Sequence, residues 1–358
     1  MAVASPSLPP VAVPPGSIID GRYEVKQPLG SGTFGEVYEV FDHHQQQVVA
    51  LKLLNPALCG VWPWQEAVEL TRLRSEYILT IWNASIVSGV PYVVTAMATS
   101  GSAERILSAL PWPTPAQAVR IVQQAARGVG RAHDDGVLHR DIKLENLFLD
   151  VTGAVRLGDF GIAHPLSNGV APTGGTVVTM APEVLAGGPT TVASDIYSLG
   201  CCLYQLLAGC LPYVDQQPVD EAAFRHLVAT SLPTPLRDIA PHVGRSLAAR
   251  LERALDHDPA ARYQSATELD ADLGQLPTAS RHWRRSTVHT GHSMCWESAD
   301  RPRPNIRICV VPAVAVGRFS VEVAHLVTNR RILRLCRSDV RSKFLLGALR
   351  TTFEKLGN

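Results

Sequence analysis

The sequence predicts an α+β chain, with strands gathered at the front, helices behind them and a small α+β appendage at the end. Three observations carry this. Between Tyr23 and Leu54 the runs YEVKQPLG, GEVYEVFD and QVVALKLL show the alternating character of half-buried strands. From Thr114 the period lengthens, and Ala118, Ile121, Val122, Ala125 and Val129 recur at the spacing of a helix face. Past Pro304, strand-like runs return in RICVVPAVAV, FSVEVAHLV and RRILRLC, ahead of a helical stretch from Ser342 to Leu356. The 358 residues suffice for one domain of about 250 residues with roughly a hundred left over.

Composition argues against disorder, since 46% of residues are hydrophobic and 18% charged, ordinary values for a globular protein. The net charge of +1 hides a division. Residues 281–358 hold 15 Lys and Arg against 5 Asp and Glu, a net of +10, which leaves −9 for residues 1–280. Such a tail suits an anionic partner or docking onto its own acidic domain. The seven cysteines, Cys59, Cys201, Cys202, Cys210, Cys295, Cys309 and Cys336, follow no disulfide framework, which fits a reducing cytoplasm. Residues 1–20 form a Pro-rich leader expected to be disordered, and its prolines and uncharged start argue against a signal peptide. No apolar run approaches the ~18 residues of a membrane span. A soluble cytoplasmic protein is expected.

Taken in order, the first strands flank Gly30-Ser31-Gly32-Thr33-Phe34-Gly35, followed by Val37. A strand, not a helix, follows these glycines. They therefore suit a hairpin closed tightly over a triphosphate rather than a dinucleotide-binding turn. Lys52, in the apolar strand VALK, is costly to bury without a carboxylate partner. Next come a strand in PYVVTAMATS, at Pro91–Ser100, and the helix beginning near Thr114. That helix leads into HRDIKLEN, His139 to Asn146, and Asp159-Phe160-Gly161 follows thirteen residues after Asn146. A carboxylate, a lysine and a carboxamide at this spacing, with a second carboxylate downstream, suit phosphoryl transfer. That reaction needs a positioned hydroxyl and a metal held by oxygen ligands.

By these residues the chain resembles the eukaryotic-type, or Hanks-type, protein kinases of the Ser/Thr branch, as a soluble bacterial-like member. The resemblance covers about Tyr23 to Leu276. It implies a two-lobed kinase fold, with a small antiparallel β-rich N-lobe and a large mainly helical C-lobe, acting on protein substrates with ATP and Mg²⁺, or alternatively Mn²⁺. It implies Asp141 as the residue orienting the substrate hydroxyl, Lys143 on the γ-phosphate, and Asn146 and Asp159 as metal ligands. Lys52 would pair with Glu66, or with Glu69 as runner-up. Gly30, Gly32, Gly35, Val37 and Ala50 would enclose ATP, Thr95 would guard the back of its pocket, and the backbone from Ala96 to Ala98 would bind adenine. Most relatives carry an acid at the position of Ala96, which leaves backbone donors unaffected.

The resemblance also implies that His139 packs near Phe160 and that Asp195 braces the catalytic loop. It further implies that Glu183 pairs with Arg262 and that Thr176 contacts Lys143 and Asp141. Of the segment's hydroxyls, Ser167, Thr173, Thr176 and Thr179, Thr173 is the favoured phosphosite, and its phosphate would be read by Arg140. Thr179 stands where most relatives have tyrosine. Helices are expected at 194–209, 221–230, 244–255 and 265–276.

The domain reading is a kinase domain over 21–276, a linker over 277–304 and a basic module over 305–358, with a turn at Thr328-Asn329. The module's role is partner binding or regulation. Nucleic acid is the less favoured partner, because aromatic residues for stacking are sparse. His289, His292 and Cys295, with Cys309, could supply four zinc ligands, against the simpler reading of a solvated loop. The rival to an active kinase is a pseudokinase scaffold, disfavoured because Lys52, Asp141, Lys143, Asn146 and Asp159 are all present.

Overall fold

The structure, a computed structural model, describes residues 13–32, 35–55, 71–108, 110–160, 164–165, 176–298 and 304–357. Strands β1 (Ile18–Ile19), β2 (Tyr23–Gly32), β3 (Gly35–Asp42), β4 (Gln47–Leu54), β5 (Ile81–Val87) and β6 (Val90–Thr95) form an antiparallel sheet in the order β1-β2-β3-β4-β6-β5. Alternation sorts their side chains onto two faces. Tyr23, Val25, Tyr38, Val40, Val49, Leu51, Tyr92 and Val94 share one buried core. Val37, Ala50, Lys52 and Thr95 have the opposite parity and line a cleft. At the end of β3 the buried Asp42 accepts from Arg22 Nε and Nη2 at 2.8 and 2.7 Å and from His44 N at 2.9 Å, which closes the turn into β4.

The helical lobe is built on α1 (Pro115–Asp134). Its start is specified locally: Thr114 Oγ1 accepts from Gln117 N at 3.3 Å, Gln117 Oε1 accepts from Thr114 N at 2.9 Å, and Pro115 occupies the first turn. Short antiparallel pairs follow, β7 (Val137–Leu138) with β10 (His164–Pro165), and β8 (Leu147–Leu149) with β9 (Val155–Leu157). Then come α2 (Pro182–Leu185), α3 (Val192–Ala208), α4 (Glu221–Thr230), α5 (Leu236–Ile239), α6 (Arg245–Ala254) and α7 (Ala266–Gly274). Helix α3 is apolar nearly all round and lies in the middle of the lobe, packed with α1. It ends at Gly209, φ +80°, where a Cβ would lie 1.9 Å from the Trp112 ring, so only glycine fits. Among the described residues no helix is long and apolar enough to cross a membrane.

The segment 277–304, expected to be a linker, is largely part of the module. Strands β11 (Trp283–Arg285) and β12 (Met294–Ser298) join β13 (Ile306–Pro312), β14 (Arg318–His325) and β15 (Arg337–Arg341) in an antiparallel sheet of that order, with α8 (Ser342–Lys355) packed against it. Each of the two added strands is anchored by one buried tryptophan, Trp283 between polar residues in β11 and Trp296 beside the buried Cys295 in β12. That is too little apolar patterning to read in advance. The third expected strand is also displaced: Leu333–Leu335 forms a 3₁₀ turn and the strand is 337–341. Strand β15 is a mostly exposed edge carrying Arg337, Asp339 and Arg341, charges that discourage further pairing.

The module sits against the helical lobe. Arg237 and Arg245 both donate to Glu354, at 2.9 and 3.0 Å, and Arg350 pairs with Asp238. His242 lies beside Trp296 and Phe353. Trp112 N donates to Arg285 O at 3.1 Å. Phe353 is fully buried, edge-on to both Trp283 and Trp296. A Phe353→Ala substitution is expected to destabilise the module by about 3–5 kcal/mol, read as a lower denaturant midpoint followed by tryptophan emission.

Candidate active site

The cleft between the strand-built and helical lobes has a volume of about 820 Å³. Register explains its upper wall: Val37 lies opposite Lys52 and Ala50 opposite Thr95, so four side chains of one parity come together. The hairpin above closes with Gly32 opposite Gly35. At Gly35, φ is +150° and a Cβ would fall 1.9 Å from Leu53 O, so the strands could not approach this closely with any other residue. Gly30, Ala96 and Ala98 also border the cleft.

The backbone from Ala96 to Ala98 borders the cleft as expected of a hinge segment, and its hydrogen bonds limit which groups face a ligand. Ala96 N already donates to Thr80 O at 2.9 Å, so this N–H is committed inside the protein and Ala96 has its carbonyl to offer instead. Strand β6 ends at Thr95, and the next amide is captured by Thr80, the residue just before β5.

The lower wall begins where α1 and β7 deliver the chain into residues 139–146. Asp195, at the start of α3 and fully buried, accepts from His139 N and Arg140 N at 2.9 Å each and from His133 Nε2 at 2.9 Å. Burial alone would push its carboxyl up, but His133 and these amides more than offset it, holding Asp195 below the usual carboxylate range. This brace secures Arg140 at φ +72°, a left-handed conformation costly for a side-chain-bearing residue. Asp195→Ala leaves two loop amides without their acceptor, at about 1–3 kcal/mol each. Faster hydrogen exchange at His139 and Arg140 is the expected readout.

His139 is buried, its ring 4.7 Å from that of Phe160. Its Nε2 donates to Gly158 O at 3.0 Å while Nδ1 accepts from Asp141 N at 3.3 Å, the pattern of a neutral imidazole with a structural task.

Asp141 is 3% exposed and stands at the centre of a compact polar set. It accepts from Thr176 N at 3.0 Å and Thr176 Oγ1 at 2.9 Å, and Lys143 Nζ lies 2.9 Å from its other oxygen. Lys143 also donates to Thr176 Oγ1 at 2.7 Å. Burial pushes the Asp141 carboxyl up, and Lys143 and Thr176 overcome this to hold it below its ordinary range. Asn146 Nδ2 donates to the Asp141 carbonyl at 2.7 Å and carboxylate at 3.1 Å, which leaves its oxygen, Oδ1, as the atom suited to a cation. Across the cleft Lys52 Nζ is 2.5 Å from Asp159 Oδ1, and Asp159 has φ +59°. The donor set of one carboxylate and one carboxamide oxygen beside a lysine suits a hard divalent cation and phosphate.

Lys52, the set Asp141, Lys143 and Asn146, and Asp159 are thus brought together from three segments of the chain. Glu66, its runner-up Glu69, Ser167 and Thr173 lie outside the described residues. Thr179 is buried, donating to Thr176 O at 3.1 Å, and the Thr179 carbonyl accepts from Ser198 Oγ at 2.9 Å. Leu29, Met97 and Phe148 also line the cleft and were not anticipated. Leu29 directly precedes the first glycine and Phe148 lies two residues after Asn146, so each was marked by its neighbour.

The protein kinase domain family matches residues 23–272. The chain is 34% identical over 286 residues to the serine/threonine-protein kinase PknD of Mycobacterium tuberculosis, covering 77% of this chain and 43% of that protein. It is 30% identical over 293 residues to the probable serine/threonine-protein kinase PknB of Corynebacterium glutamicum, covering 76% and 45%. To the serine/threonine-protein kinase PknB of Mycobacterium leprae it is 31% identical over 284 residues, covering 74% and 45%. The chain spans less than half the length of these curated relatives. With a family match across the whole of both lobes and the charged set gathered in the cleft between them, this chain belongs to the protein kinase family.

Proposed function

We propose that the chain is an ATP-dependent serine/threonine protein kinase, transferring the γ-phosphate of ATP to hydroxyls of protein substrates. The observation that carries this reading is the convergence of Asp141, Lys143 and Thr176 beside a cleft bordered by Lys52, Asn146 and Asp159. The names of the relatives support the same activity. A pseudokinase is disfavoured because no member of that charged set is missing.

In this reading the apolar walls, Leu29, Val37, Ala50 and Phe148, hold the adenine, with the Ala96 carbonyl and the Ala98 N–H reading its edge. Lys52 supplies positive charge to the phosphates. Asp141, ionised at neutral pH, orients the substrate hydroxyl and accepts its proton. Its low basicity suits a loose transition state, in which positioning matters more than early proton removal. Lys143 sits where it can neutralise charge on the transferred group, and Thr176 holds Lys143 and Asp141 in mutual register. Asn146 and Asp159 are the oxygen ligands for Mg²⁺, with Mn²⁺ as alternative. Held by Asn146 Oδ1 and an Asp159 carboxylate oxygen, such an ion would supply positive charge to offset that of the phosphates.

Autophosphorylation within the segment from Asp159 to Glu183 belongs to the proposal. Thr176 and Thr179 are already committed to hydrogen bonds, which favours Thr173 or Ser167. Arg140, beside Asp141, is the group to read such a phosphate. Action in the cytoplasm, and a regulatory or partner-binding role for the C-terminal module, complete the reading. The module's contacts with Arg237, Asp238 and Arg245 support that role. The test is γ-phosphate transfer by wild type and Asp141→Asn, with mass spectrometry of modified sites. Wild-type material that neither binds ATP nor modifies any hydroxyl would overturn the proposal.

A further inference from the structure

We infer that His289, His292, Cys295 and Cys309 form a structural zinc site within the C-terminal module. Their ligand atoms all lie within 4.8 Å of one another. Individual separations are 3.1 Å from His289 Nδ1 to Cys295 Sγ, 3.5 Å from Cys295 Sγ to His292 Nδ1, and 3.6 Å from Cys309 Sγ to His289 Nδ1. Tetrahedral zinc with ordinary bond lengths requires edges of about 3.3 Å between nitrogens, rising to about 3.8 Å between sulfurs. The three nitrogen–sulfur separations therefore lie close to the ion's demands, and every remaining pair falls within 4.8 Å.

The fold prepares this arrangement from two sides. Cys295 on β12 and Cys309 on β13 face each other in antiparallel register, so the sheet itself sets the sulfur pair. The two histidines come from the loop between β11 and β12. That loop is tied down by Ser286 N donating to Cys295 O, by His292 N donating to His289 O, and by Ser293 N donating to Val310 O. Gly291, at φ +80°, permits the tight turn that brings His292 back toward the sheet.

Charge selects the occupant. Both sulfurs are buried, Cys295 at 0% and Cys309 at 2% exposure, and two buried thiolates would be costly without a cation. A dication with two thiolates and two neutral imidazoles has no net charge. Four protein ligands of two sulfurs and two nitrogens complete a tetrahedron with no position left for substrate, which makes the site structural rather than catalytic.

The site bears on the seam between module and kinase lobe. It fixes the loop that follows β11, and β11 carries Arg285. The Arg285 carbonyl accepts from Trp112 N, and its guanidinium lies 5.0 Å from the centre of the Trp112 ring. Trp112 in turn stands two residues before the cap of α1 and packs over Gly209. Metal loss is therefore expected to loosen this seam as well as the module.

The experiment uses the full chain, purified without a histidine tag and without chelator. Elemental analysis is expected to return close to one zinc per chain. Removal with a strong chelator lowers the unfolding temperature, and zinc alone restores it. Cobalt in place of zinc gives the visible absorption of a tetrahedral thiolate complex. Cys295→Ser and Cys309→Ser lose the metal, whereas Cys210→Ser and Cys336→Ser retain it. Should the first pair fold poorly, His292→Ala, at a half-buried ligand, serves instead and weakens zinc binding by roughly tenfold or more.

Two results would overturn the inference. One is a native chain with only traces of zinc that takes up none when zinc is added, which would make the cluster a metal-free thiol–imidazole network. The other is a Cys295–Cys309 disulfide in protein purified under reducing conditions.

Discussion

Asp141→Asn is expected to reduce γ-phosphate transfer by roughly 10²- to 10⁴-fold, equivalent to about 3–5 kcal/mol of barrier. ATP affinity should change little, because Asp141 does not line the cleft that would hold the nucleotide. The loss has two parts. A carboxamide cannot accept the substrate proton, and it also presents an NH₂ group to a ring of donors. Thr176 N, Thr176 Oγ1 and Lys143 Nζ all direct hydrogens at the carboxylate, so at least one must lose its partner. Thr176→Ala removes only the hydroxyl that links Lys143 to Asp141 and is expected to have a smaller effect on kcat. Equal losses in the two variants would argue for positioning alone.

The pH response follows from the same contacts. The folded Asp141 carboxyl is held below its unfolded value, so its stabilising contribution is complete above about pH 4 and is lost as pH falls through the lower, folded value. Activity is expected to hold its acid limb below the usual carboxylate range.

Arg262→Ala is expected to lower stability by about 3–5 kcal/mol, which for a domain of this size corresponds to a fall in Tm of roughly 10 °C. Arg262 is fully buried, and its two terminal nitrogens meet both Glu183 oxygens at 2.8 and 2.7 Å. It also donates to the carbonyls of Asp256, Ala193 and His257 and lies over the Tyr197 ring. Truncation therefore removes partners from one carboxylate and three carbonyls and opens a cavity beside α3. Glu183→Gln keeps the shape and most hydrogen bonds, so its cost should be smaller. Thermal melts of the full chain compare the two. Loss of activity in Arg262→Ala at temperatures where it remains folded would show that this pair also holds the end of the segment running up to Thr176.

What was legible in advance follows from the physics of each element. The glycine hairpin and HRDIKLEN could be read because phosphate chemistry restricts side-chain type and local geometry restricts spacing. Helices α4, α6 and α7 emerged within one or two residues of expectation, since their apolar faces repeat over several turns against a large core. That the Ala96 amide is taken by Thr80 O could not be read in advance, because the partner lies sixteen residues earlier and leaves no mark on the alanine itself. Strands β11 and β12 went unread for a different reason. Strand β11 buries only Trp283, the apolar run of β12 is no longer than Met294, Cys295 and Trp296, and the surrounding arginines, serines and histidines have the composition of a linker.

By itself the sequence determined the chemical inventory: two carboxylates, two lysines, a carboxamide and a glycine hairpin in an order that only one kind of reaction uses. It also determined which faces of each strand and long helix must be buried, because periodicity alone decides that. Only the tertiary structure decided which groups meet. Glu354 of the module reaches Arg237 and Arg245 across more than a hundred residues, and Trp112 N reaches the Arg285 carbonyl from the other side of the helical lobe's sequence. Such meetings depend on sheet register and helix packing summed over the whole chain, and no local stretch of residues encodes them.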